Sequence, residues 1–95
     1  MDPAEKEALM NQLLPELAVL RAKAGISQDN LAGLVGVSRQ TYNAVERGFR
    51  KMSWGMYLSL VFFYDNIADT HDYIRKLGVF PEELVKHFNQ SSNLQ

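Results

Sequence analysis

Between Ser27 and Gly48 the sequence SQDNLAGLVGVSRQTYNAVERG divides into two short apolar-periodic runs around Val35-Gly36-Val37-Ser38. A serine whose side chain accepts a hydrogen bond from the backbone just ahead is a strong helix start, and a glycine that takes a positive φ is a strong helix stop. Ser27 and Ser38 therefore predict helices over 28–35 and 39–47, and Gly36 supplies the sharp turn between them. Leu31, Ala32, Leu34 and Val35 are expected to face the core, with Val37 anchoring the turn. A tight helical corner is the frame around which everything else must fit.

The flanks carry the same punctuation. Asp2-Pro3 opens a helix over 3–13 with Leu9, Leu13 and Leu14 as its apolar stripe. Pro15 lacks an N–H and cannot sit inside that helix, so a second one is expected over 15–24, with Leu17, Leu20 and Ala24 on one side and Gly25 as its stop. Ser53 caps a helix over 54–65 that is apolar almost all round and so must be buried on several sides. Asp69 or Thr70 is expected to cap a helix ending near Leu77-Gly78, and Pro81 opens a final one to about Phe88. No segment alternates with the period of a strand. The expectation is an all-α bundle of five to six helices in one domain over 1–90, with an N-terminal helix in 1–14, a core in 15–66, a C-terminal helical extension in 67–90 and a flexible tail over 91–95.

Composition removes several classes of function. The 95 residues contain no cysteine, which excludes a disulfide framework or thiolate metal site and makes a cytoplasmic location the simplest expectation. No basic start leads into an apolar stretch of the signal-peptide kind. The longest uncharged apolar run, Trp54 to Tyr64, falls well short of the ~18 to 20 residues that span a bilayer. The formal net charge is −1, but residues 25–53 place Arg39, Arg47, Arg50 and Lys51 against only Asp29 and Glu46. A local basic patch can steer a phosphate polymer even where the whole molecule is nearly neutral.

At about 100° per residue from Arg39, the second short helix sets Arg39, Asn43, Arg47 and Gln40 between about 0 and 100°, and Thr41, Val45 and Tyr42 between about 200 and 300°. An ordinary solvated face would show the same segregation. The residue types add information, because Arg, Gln and Asn match the donor and acceptor edges of guanine and adenine in the major groove. Periodicity leaves both readings open.

The stretch LRAKAGISQDNLAGLVGVSRQTYNAVERG, Leu20 to Gly48, resembles the helix-turn-helix of the Cro and phage-repressor type, the XRE family. The matching pieces are Gly25-Ile26-Ser27-Gln28, Leu31-Ala32, Val35-Gly36-Val37-Ser38, Arg39-Gln40-Thr41 and Glu46-Arg47-Gly48, and the likeness spans roughly 15–66. It implies a lambda-repressor-like bundle with helical extensions at both ends, and a partner that is double-stranded DNA. The resemblance places Gln28 against a phosphate, and Ser38, Arg39, Gln40, Thr41 and Asn43 at base edges, with Ala44 a further candidate on that face. Arg47, Arg50 and Lys51 are expected to pair with phosphates, which fix register more than sequence. Arg21 and Glu46 match positions that form a partly buried ion pair in similar proteins. Members mostly read two half-sites as two-fold dimers, so a homodimeric repressor is expected.

After Gly48 the sequence departs from the family, with Met52 in place of a proline and an aromatic-rich helix behind it. Trp54, Tyr57, Leu58, Val61 and Phe62 are expected as a core stripe, and Met56, Leu60, Phe63 and Tyr64 then need cover from Tyr73, Ile74, Leu77, Phe80, Leu84, Val85 and Phe88. The competing expectation is an antitoxin-like interaction module whose aromatic C-terminal half binds a partner protein. His71 and His87 lack metal-site spacing, and the pairs Asp69/Asp72 and Glu82/Glu83 suit helix N-termini rather than acid–base work. No enzyme, cofactor, metal site or membrane association is expected.

Overall fold

The computed structural model describes residues 1–81 and Lys86, and among these every regular element is helical. Six α-helices follow one another: α1 (Pro3–Leu13), α2 (Leu17–Ala24), α3 (Gln28–Val35), α4 (Arg39–Glu46), α5 (Trp54–Asp65) and α6 (Ala68–Lys76). This is the all-α bundle that the sequence implies. Of the expected final helix over 81–88, everything but Pro81 and Lys86 lies outside the described residues, Leu84, Val85, His87 and Phe88 included, as does the tail.

Local chemistry explains the helix starts. The Asp2 carboxylate accepts from the Glu5 backbone N–H at 2.9 Å, and Ser27, Ser38 and Ser53 each accept from the N–H three residues on at 3.1 Å. Each cap satisfies a donor that the helix geometry leaves unpaired. Pro15 acts differently from the expected helix start. Leu14–Glu16 tighten into a 3-10 turn around the missing N–H, and α2 begins only at Leu17. α6 also starts otherwise than expected. Ile67 occupies the cap position with no side-chain bond, while Thr70 is fully buried and donates its hydroxyl to the Tyr64 carbonyl at 2.7 Å.

The core gathers Leu13, Leu17, Leu20, Leu31, Tyr42, Val45, Tyr57, Leu60, Tyr64 and Ile74, all essentially inaccessible to solvent. α5 runs through its centre and buries Met56, Tyr57, Leu60, Val61 and Tyr64. α6 covers it with Ile74, and the chain beyond α6 adds Val79, whose carbonyl accepts from the Tyr57 hydroxyl. Two expected core residues face outward instead: Phe62 is 71% exposed and Leu34 64%. On a helical wheel Phe62 lies about 140° from Tyr57, in an exposed arc with Gly55, Ser59 and Asn66, opposite the buried arc of Met56, Tyr57, Leu60, Val61 and Tyr64. Leu34 lies about 60° from Leu31 on the side away from Ala32 and Val35, just beyond the buried arc of α3.

Candidate nucleic-acid interface

α3 and α4 meet at the corner foreseen in the sequence. Gly36 closes α3 with φ 80°, a conformation in which a side chain would be strained, and the Val37 N–H returns to the Ala32 carbonyl at 3.0 Å. Ser38 then starts α4 at once. Its hydroxyl accepts from the Thr41 N–H and donates to the Thr41 hydroxyl at 3.0 Å, so both side chains are engaged in fixing the first turn.

The far end of α4 is tied to α2. The Arg21 guanidinium grips Glu46 through two hydrogen bonds, Nε to Oε2 at 3.0 Å and Nη2 to Oε1 at 3.2 Å, and its Nη1 donates to the Ile26 carbonyl. Glu46 is 8% exposed and Arg21 25%. Burial is the largest single influence and acts to raise the Glu46 carboxyl, but the hydrogen bonds and charge of Arg21, together with the polar groups of Tyr42 and Gln28, outweigh it in sum and hold the group below the usual carboxylate range. The same bonds raise Arg21. The hydroxyls of Tyr42 and Tyr64 are buried beside this pair, near enough to feel its charge and for Tyr42 to help hold that of Glu46. Burial pushes both well above the usual phenol range, so they stay neutral.

With its base fixed, α4 turns Arg39 and Gln40 to solvent, Arg47 is exposed at its C-terminal cap, and Arg50 and Lys51 follow in the loop, also exposed. Thr41 and Asn43 are half-buried at the edges of that face. Gln28, at the start of α3, donates its Nε2 to Asn43 Oδ1 at 3.1 Å and so bridges the two helices of the corner. No hydrogen bond or ion pair among the described residues engages the side chains of Arg39, Gln40 or Arg50. Lys51 differs, since its Nζ lies 2.7 Å from Glu7 Oε2 on α1. The structure thus places Gln28, Ser38, Arg39, Gln40, Thr41, Asn43 and Arg47 on the α3–α4 corner and Arg50 and Lys51 in the loop after it, but spends Ser38 and Thr41 on each other and gives Gln28, Asn43 and Lys51 partners within the protein.

Two features escaped the sequence reading. One is Glu7 as the counter-ion of Lys51, for which residues so far apart in sequence carry no local signal. The other is Phe49, 76% exposed with the Arg47 guanidinium 5.0 Å from its ring centroid. Its signal was present, as an aromatic residue set among Arg47, Arg50 and Lys51 and outside any core stripe.

Among the described residues no group of three or more His, Cys, Asp and Glu could hold a metal ion, and no helix is long and apolar enough to cross a membrane. Comparison with curated proteins and with solved structures gave no significant match. A family model described as a helix-turn-helix domain matches residues 12–72, well over half of the chain and all of the α3–α4 corner. The chain belongs to that helix-turn-helix domain family.

Proposed function

We propose that the protein is a sequence-specific, double-stranded-DNA-binding transcriptional regulator of prokaryotic type, a repressor that acts in the cytoplasm as a homodimer by occupying an operator. The family points to a DNA-binding regulator and is typically non-enzymatic. The observation that carries the finer reading is the contrast within α4: its inner side is locked by the Ser38 cap, Tyr42, Val45 and the Arg21–Glu46 pair, while Arg39, Gln40 and Arg47 face solvent. An unpartnered Arg and Gln at the start of a rigid helix suit base edges, because Arg can bond guanine O6 and N7 and Gln adenine N6 and N7.

In this reading Arg39 and Gln40 make the base contacts. Asn43, Ser38 and Thr41 work at the same surface, with their geometry set by their bonds inside the protein. Gln28, Arg47, Arg50 and Lys51 take phosphates. Repression needs only occupancy, so no catalytic group or cofactor is required.

The dimer reading is supported by the Gly55, Ser59, Phe62 stripe of α5, which is exposed and uncharged. The antitoxin-like alternative has less support, since Tyr57 and Tyr64 are consumed by the core and Phe63, Tyr73 and Phe80 pack against it. Selection from random duplexes tests the proposal. Enrichment of a two-fold-related pair of half-sites is expected; failure to enrich any sequence at low salt with folded protein would overturn it.

A further inference from the structure

Phe49 has the greatest exposure of the large apolar side chains on the described residues, and it is not on a loose segment. Gly48 turns the chain with φ 79°, and the N–H groups of Phe49 and Arg50 both return to the Ala44 carbonyl, at 2.8 and 3.2 Å. The ring is therefore pinned to the last turn of α4 and held out into solvent. A phenylalanine left exposed forgoes the stabilisation that burial of its ring would bring, so folding does not explain its placement.

Its surroundings indicate what would cover it. Arg47 lies over the ring, and Arg50 and Lys51 follow directly in the chain. An apolar surface on an ordinary protein would have to accommodate these cations as well. The backbone of duplex DNA offers apolar deoxyribose faces alternating with phosphates, which suits an aromatic ring flanked by cations.

We propose that Phe49 is a DNA-contacting residue that lays its ring on the sugar face of the backbone beside the groove entered by α4, with Arg47 and Arg50 pairing with the adjoining phosphates. This rests on the DNA-binding reading above. The stacked ring also limits the directions open to Arg47, so the guanidinium meets its phosphate with less freedom to lose. An apolar contact displaces no counterions, whereas a cation that pairs with a phosphate does. Phe49 should therefore contribute affinity that salt does not modulate.

The test measures binding of the wild-type protein, Phe49→Ala, Phe49→Leu and Arg50→Ala to one selected duplex across a salt series, with sedimentation and thermal unfolding of each. Phe49→Ala is expected to weaken binding about tenfold at every salt concentration, with an unchanged salt slope, melting temperature and oligomeric state, and Phe49→Leu to recover part of the loss. Arg50→Ala should flatten the slope by ~1. Wild-type affinity in Phe49→Ala would overturn the proposal, as would a loss that vanishes at high salt or one that tracks dissociation of the dimer. A wild-type protein that binds no duplex would instead remove the DNA-binding reading, and the Phe49 contact with it.

Discussion

At the scale of single residues, Glu46 does the most to determine where α4 sits. Its carboxylate is nearly buried and held by two bonds from Arg21, so removing the cation strands a charge. Arg21→Ala should cost about 2 to 3 kcal/mol, short of the largest values for buried pairs because the guanidinium keeps partial access to water. Chemical denaturation at pH 7 measures it, and a change under 0.5 kcal/mol would contradict the assignment. The pH dependence has a definite sign. Glu46 is depressed in the folded state, so its contribution is full above the unfolded carboxyl value near ~4.3 and is lost as pH falls through its lower folded value. Asp65 behaves in the same direction, chiefly through its hydrogen bonds from Arg75. Glu46→Gln should be less stable at pH 7, yet lose less stability than wild type between about pH 5 and 3; parallel stability curves would contradict it.

At the scale of elements, the corner was legible because caps and turn glycines act locally. Ser27, Ser38, Ser53 and Gly36 need only their near neighbours to do what the structure shows. The resemblance, rather than periodicity, paired Arg21 with Glu46. What periodicity could not give was which sides of a helix are covered: α5 is apolar on nearly every side, and only the placement of the helices packed around it decides that Leu60 and Tyr64 are inside and Phe62 outside. Glu7 and Lys51 belong to the same class of long-range facts. Because Lys51 already holds a carboxylate, a phosphate that reaches it must compete with Glu7 and its negative charge. Glu7→Gln should tighten DNA binding several-fold at low salt, as expected for removing an exposed competing pair worth up to ~1 kcal/mol, and should do nothing in a Lys51→Gln background. Equal tightening in both backgrounds would show a diffuse field effect instead.

At the scale of the whole molecule, the bundle serves to hold one short helix by both ends, with α2 gripping the Glu46 end and the Ser38 cap fixing the other. Under the homodimer proposal, the exposed and uncharged Gly55, Ser59, Phe62 stripe is the surface offered to a second copy. Two copies would have to set their α4 helices about one DNA turn, ~34 Å, apart. Phe62→Glu should shift sedimentation at micromolar protein toward monomer and weaken operator binding while leaving the fold intact; an unchanged sedimentation profile would remove this face from the interface.

In the proposed function the outer face of α4 reads base sequence. Its most direct test repeats the random-duplex selection with wild type, Arg39→Ala and Gln40→Ala. Each variant should lose its preference at one or two base pairs per half-site, by ~1 to 3 kcal/mol, and keep the rest of the selected sequence. Variants that enrich the wild-type sequence with undiminished preference at every position would contradict the claim.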